Sequence, residues 1–457
     1  MASGARKPLS DMSRRSFLRS SLAAGAGIGA AGVLAACGSS SSPSKGSSSS
    51  APAAPAASGA SSAPSAAKGS ITLIGGTAFQ SIVDTFTQQT GIKVTNVNLP
   101  YDGAYQRLVS EFGSNNYTFD VAFVDEIWIS QFAEKAEPLD DMFTPDVVAD
   151  LFDALVKSAK YQDHYVAMPY DTNVEILLYR KDLFEDPKEM AGFKSAYGYD
   201  LAVPTDWQSF TDAARYFTRS GLWGTDVIGA EETEWLAHVL QAGSPGVILD
   251  ASGNVIINNQ QHIDALTFYA DMYNKYKVAP SGVQQVDWAA AQNLFNQGKT
   301  SMMKFWSHAF PQLPKDSPVY GKVGTAPMIG GKAGIAGIPG PWFAMVPQGA
   351  KNKAAALEFA KFCYDSNHLF ADEPQVHLAA RKSVFQDYST KPGYEYYKDI
   401  YATLNAPATM SRPATPKWQQ LVDTVLIPLV QKSLTSGADY ASILNDAAGK
   451  VQQVISA

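Results

Sequence analysis

Cysteine is nearly absent: Cys37 and Cys363 are the two in 457 residues. Without a CxxC pair, thiolate metal sites and dithiol redox chemistry have no ligands to build on. Histidine is scarce too. The six, at 164, 238, 262, 308, 368 and 377, include no pair at the i, i+4 spacing of a helical metal site. No metal or other cofactor is therefore expected. There is no Gly-x-Ser-x-Gly elbow for a serine nucleophile. Gly298-Lys299-Thr300 looks like the end of a phosphate loop, but Asn293 stands where a glycine is required. The strand-like Thr300–Trp306 also follows it where a helix should start. Basic residues are outnumbered: beyond residue 69, 29 Lys and Arg face 42 Asp and Glu. A nucleic-acid binder needs a basic stripe, so that class is excluded.

The positive charge that exists is concentrated at the start. Arg14-Arg15 is followed by Leu22 to Ala36, fifteen residues of Ala, Gly, Leu, Ile and Val. The run is short for a membrane span, which needs ~20 residues, and has the layout of an export signal. The paired arginines resemble a twin-arginine signal. Leu34-Ala35-Ala36-Cys37 resembles a bacterial lipobox, which implies cleavage before Cys37 and its lipidation. Residues 38–69 are Ser, Ala, Gly or Pro at 30 of 32 positions. Such a stretch cannot bury enough apolar area to offset chain entropy and reads as a tether. The expected location is extracytoplasmic, lipid-anchored at the outer face of the cell membrane.

The rest of the chain has apolar material for at least one large core: 46% of residues are hydrophobic and 11% aromatic. Its length suggests two domains or more. Ile71–Ile74, Lys93–Val97 and Phe119–Val124 read as strands. Helical stripes run between them, Phe79/Ile82/Val83/Phe86 and Tyr105/Leu108/Val109/Phe112. The alternation predicts an α/β fold with a largely parallel sheet, and ligands in such sheets bind beyond the carboxyl ends of strands. Thr205-Asp206 can cap a helix carrying Trp207, Phe210, Ala214 and Phe217. Cys363 sits in a strong helical pattern, where a small buried core residue is expected.

Six further segments carry a family resemblance. They are Phe119-Asp120-Val121 with Asp125-Glu126-Ile127-Trp128; Met168-Pro169-Tyr170 with Leu178–Phe184; Val203–Trp207; Phe295–Lys299 with Met302 and Trp306; Gly340-Pro341-Trp342 with Lys351–Ala355; and Ala379–Phe385. In this order they resemble the extracellular solute-binding proteins of bacterial ABC importers, in the carbohydrate-binding group related to maltose-binding proteins. The resemblance implies a two-lobed periplasmic-binding-protein fold with a hinge, and capture and delivery rather than catalysis. It places the first lobe at 70–172 and 326–367 and the second at 173–325 and 368–457. Crossings are implied near Tyr170–Glu175, Gly324–Ala326 and Asp365–Leu369. The implied partners are an ABC permease, a small solute and, through the lipid, the membrane; the family is usually monomeric, so a monomer is expected.

A sugar or polyol presents hydroxyls to carboxylates and C–H faces to aromatic rings. The resemblance carries Asp125, Trp128, Tyr170, Asp171, Trp306, Trp342 and Arg381 over as ligand contacts. Strand-end logic adds Gln80, Tyr101, Asp102, Glu126 and Asn173. Glu234, Trp235 and Trp288 pair aromatics with polar surroundings and are second-lobe candidates. Arg381 is here the lone basic candidate and could equally form an ion pair between lobes. Two alternatives stay open. Acidic and tryptophan side chains would also suit a cationic solute such as a polyamine. A membrane-tethered glycoside hydrolase would use two of the carboxylates, with Glu231, Glu232 and Glu234 close together; that cluster can equally be a solvated helix start.

Overall fold

A computed structural model describes residues 69–75, 80–374 and 378–457. The signal, the tether up to residue 68, Cys37, the turn at Gly76-Thr77 and the side chain of Asp102 lie outside what it describes. The chain opens with β1 (Ser70–Gly75), α1 (Gln80–Thr90), β2 (Lys93–Asn98), α2 (Tyr101–Ser114), β3 (Val121–Asp125) and α3 (Glu126–Phe132). The buried stripe of α1, Ile82, Val83 and Phe86, lies on the sheet side. Phe86 meets Phe359 at 4.9 Å and Phe362 at 5.2 Å. All five residues of β3 are buried, which is why its sequence shows no alternation.

The chain then runs through β4 (Met168–Asp171) and β5 (Glu175–Arg180). Next come α4 (Trp207–Phe217), α5 (Thr233–Gln241), α6 (Gln260–Asn274) and α7 (Trp288–Asn296). It continues with β6 (Met302–Trp306), β7 (Val323–Ala326), β8 (Trp342–Met345) and α8 (Lys353–Asp365). Asp206 caps α4 by the expected chemistry: its carboxylate accepts from Ser209 N at 2.8 Å, and the Ser209 hydroxyl accepts in return from Asp206 N at 3.2 Å. Cys363 is fully buried in α8, as its helical pattern predicts.

Among the described residues two sheets have three or more strands, one in each lobe, beside two short two-stranded ribbons. The first has the order β2-β1-β3-β8-β4, the second β6-β5-β7. The sheet is less parallel than the sequence suggests. β1 is parallel to β2 and β3, but β8 is antiparallel to both its neighbours, and the second sheet is antiparallel throughout. The reason is connectivity. β8 begins where the chain returns from the other lobe, so it enters at the carboxyl end of β3 and runs back down.

That entry sets the cleft edge. Trp342 opens β8 opposite Asp125, the last residue of β3, and opposite Asp171, the last of β4. In the second sheet Glu175, the first residue of β5, pairs with Trp306, the last of β6. Thr172–Val174 therefore crosses between the sheets. The return passage is tied to it: Gly340 N donates to Asn173 O at 2.7 Å. A β-carbon on Gly337 would lie 2.5 Å from Val174 Cγ2, so only glycine lets the two strands of the hinge touch there.

Near Asp365–Leu369, Asn367 runs along the first crossing, donating to Tyr170 O at 2.7 Å and accepting from Ala380 N at 2.8 Å. The buried side chains from Phe370 to Leu404 still belong to the first core cluster. Those from Trp418 to Val451 belong to the second. The passage between them, residues 405–417, holds Arg412.

Candidate ligand cleft

A cavity of ≈ 740 Å³ lies at the facing edges of the two sheets. On the first-lobe wall, Asp125 caps α3, accepting from Ile127 N at 3.3 Å, and its other oxygen accepts from the Tyr101 hydroxyl at 2.9 Å. The exposed Tyr101 ring leans on Trp128 at 4.7 Å and meets Trp342 edge-on at 6.0 Å. Asp171 accepts from Leu378 N at 3.0 Å. Tyr170 contributes a wall but is itself buried, its ring 4.1 Å from Phe123.

On the opposite wall, Trp306 ends β6 and Trp288 begins α7, with ring centroids 5.7 Å apart and planes at 63°. Asn173 organises the hinge side. Its Oδ1 accepts from Val174 N and Ser307 N, both at 3.0 Å. That fixes the amide, so its Nδ2 donates to His308 Nδ1 at 2.6 Å and leaves the ring proton on Nε2. Burial pushes His308 down to about 4, so at neutral pH it is an uncharged hydrogen-bond donor.

Charge in the cleft is uneven. Arg412 is committed to the first lobe: its Nε donates to Glu126 at 2.9 Å and its Nη2 lies 3.4 Å from Asp125. Glu126 also accepts from the Ser158 hydroxyl at 3.1 Å. Burial raises the Glu126 carboxyl, and Arg412 works against that rise. Glu231 and Glu232 precede α5. Burial pushes Glu231 up to about 8, helped by repulsion from Glu232 and Asp287. Glu232 is raised by burial and held back by Arg412. Asp125, Asp171, Glu231, Glu232 and Asp423 thus line the cavity with one basic side chain, Arg412.

Of the candidates, the structure brings Tyr101, Asp125, Tyr170, Asp171, Asn173, Trp288, Trp306 and Trp342 together around this cavity. Six others are placed elsewhere. Gln80 is exposed at the start of α1 and bonds Asp84 at 2.8 Å. Glu126 is turned beneath the wall onto Arg412. Trp128 is 1% exposed, packed behind Tyr101. Trp235 is fully buried on the core side of α5. Glu234 faces the same way and pairs with buried Lys304 of β6 at 2.6 Å. Arg381 pairs with Asp150 at 2.7 Å and stacks over Tyr364, so the basic residue of the cleft is Arg412 instead. Residues not anticipated include Gln292, His308 and Arg412, while Glu231 and Glu232 were named only as part of an acidic run. Within the acidic run, Glu231 and Glu232 line the cavity and Glu234 does not. Arg412 had no local signal beyond its proline-rich surroundings.

The family model for the bacterial extracellular solute-binding protein matches residues 70–366. The chain is similar to the T. maritima protein MalE3 solved with maltose: 25% identical, TM-score 0.71, covering 84% of this chain and 100% of that one. A solute-binding protein of Agrobacterium vitis solved with D-mannitol shares the fold at 20% identity and TM-score 0.66, covering 85% and 98%. A probable ABC transporter-binding protein of Deinococcus radiodurans is 24% identical over 367 residues, 74% of this chain and 81% of its own. The chain belongs to the bacterial extracellular solute-binding proteins.

Proposed function

We propose that this chain captures a sugar or sugar alcohol between its lobes and delivers it to the membrane subunits of an ABC importer. The observation that carries the reading is the combination at the cleft edge. Trp342 stands between Asp125 and Asp171 in sheet register, facing a wall made by Trp288 and Trp306. Rings cover C–H faces while carboxylates accept hydroxyl protons, ~1.5–3 kcal/mol for each charge-assisted bond. The cavity volume falls in the usual range of small-ligand sites, ~300–1,000 Å³. Similar proteins solved with maltose, ribitol and D-mannitol support the ligand class.

The lobes divide as 70–172 with 342–404, and 173–341 with 405–457; the boundaries expected at 326 and 368 move because Met328 to Ile338 pack in the second core and Phe370 to Leu404 in the first. Closure about Thr172–Val174 and the passage at Gly337–Pro341 presents the loaded shape to the permease. Cys37 carries the lipid, residues 38–69 are the tether, and the mature protein works as a monomer outside the membrane, releasing its solute unchanged.

The test is thermal unfolding of the chain from Gly38 onward against sugars and polyols, with each mixture assayed for products. A ligand at 100 times Kd adds ~2.7 kcal/mol and raises the midpoint. A rise without product supports capture. Hydrolysis products would overturn it in favour of a glycoside hydrolase.

A further inference from the structure

Resting on the reading of the cleft as a site for a hydroxylated solute, we propose that the solute also carries a basic nitrogen, received by Glu232 with Glu231 beside it. Glu232 lines the cavity at 4% exposure. Its carboxylate is met by the residue's own backbone N–H, and among the described residues no side chain donates a hydrogen bond to it. A carboxylate this buried has room for more than one donor, and charge-assisted ones serve best. The protein's own cation does not supply them. Arg412 attracts Glu232 through space, but its Nε is bound to Glu126 and its Nη2 faces Asp125.

The charges around the pair point the same way. Glu231 faces Glu232, Asp287 and the Trp288 indole. Glu232 faces Arg412, Asp125 and Asp423. One arginine, already shared by two carboxylates, stands against all the rest. A neutral sugar offers hydroxyl dipoles and leaves this imbalance in place. An ammonium on the same frame offers three N–H donors and a full charge. Trp288, whose indole N–H meets Glu231, lines the same cavity, and indole rings attract cations.

The experiment is calorimetric binding at pH 7 of matched pairs: glucitol against its 1-amino analogue, glucose against glucosamine, and cellobiose against the β-1,4 glucosamine dimer. At least one amino member should bind ~10-fold tighter than its neutral partner, the margin between a charged and a neutral hydrogen bond. Glu232→Gln should lower that amino-to-neutral ratio ~10-fold, and Glu232→Asp should restore part of it. The unfolding midpoint of each variant checks that it is folded. Equal affinities, or tighter binding of the neutral members, overturn the inference and leave the sugar reading intact. Binding of spermidine with neither member of any pair sinks both. A ratio unchanged in Glu232→Gln overturns the role of Glu232.

Discussion

Gly340 and Trp306 meet across the hinge so closely that a β-carbon on Gly340 would lie 2.9 Å from Cζ3 of the indole. Gly340 is also held by its N–H on Asn173 O at 2.7 Å, so the backbone cannot easily give way. The ring must move. Gly340→Ala should therefore displace Trp306 from the wall it forms with Trp288. Overpacking of this kind costs ~1–3 kcal/mol, and where the strain falls on the ligand wall it should appear as a ~10-fold loss of affinity. Calorimetry with whichever solute binds best, alongside tryptophan fluorescence, checks this. Unchanged affinity and emission would show that the indole is not held by this contact.

Arg412 should be the most costly cleft residue to remove. Its side chain is 8% exposed and that of Glu126 is 3%. Breaking a buried pair strands a charge, at ~3–5 kcal/mol. Arg412→Met should lose stability of that order by denaturant titration, and Glu126→Gln in the same chain should recover at least half. In Arg412→Met the Glu126 carboxyl loses its counter-charge, so burial raises it further. A carboxyl raised in the folded state favours folding at low pH and loses that benefit as pH climbs. The defect should accordingly be smaller at pH 5 than at pH 8. Additive losses in the double variant would show that the two residues act independently.

The contrast between these residues shows what the sequence can express. Tyr101 and Asn173 were legible because they follow strands, and the carboxyl ends of such strands are where ligands gather; Asp125 and Asp171 were legible through the family resemblance. Trp306 and Trp342 were legible as parts of segments carrying a family resemblance. Glu234 and Trp235 were misplaced by a register error. α5 begins at Thr233, so Glu231 and Glu232 precede the helix and face the cleft, while the next turn faces the core. Trp128 illustrates another limit: periodicity says that a ring is covered, not whether a ligand or Tyr101 covers it. Arg412 was invisible for a different reason. Its partner Glu126 is 286 residues away, and no local pattern encodes a pairing of that range. The antiparallel course of β8 is non-local in the same sense, since it depends on where the chain returns from.

Glu175 should make the hinge sensitive to pH. It is fully buried at the start of β5, where one carboxyl oxygen accepts from Ile338 N of the return passage at 3.3 Å. The other has no hydrogen-bond partner among the described residues. Burial pushes its carboxyl up to about 8, from an ordinary value of 4.5. The unfolded chain releases this proton near 4.5 and the folded chain keeps it to about 8. The group's contribution to stability is thus fully present below pH 4.5 and is lost as pH rises through that window, by up to ~1.4 kcal/mol per pH unit. Glu175→Gln keeps an acceptor for Ile338 N and carries no charge. Asp226, Glu231 and Glu232 shift in the same direction but are common to both proteins, so the difference between variant and parent isolates Glu175. The variant should be close to the parent at pH 5 and pull ahead as pH approaches 8, by at least ~2 °C in unfolding midpoint. Parallel profiles across that range would mean that Glu175 is already ionised in the hinge, with a donor that compensates it.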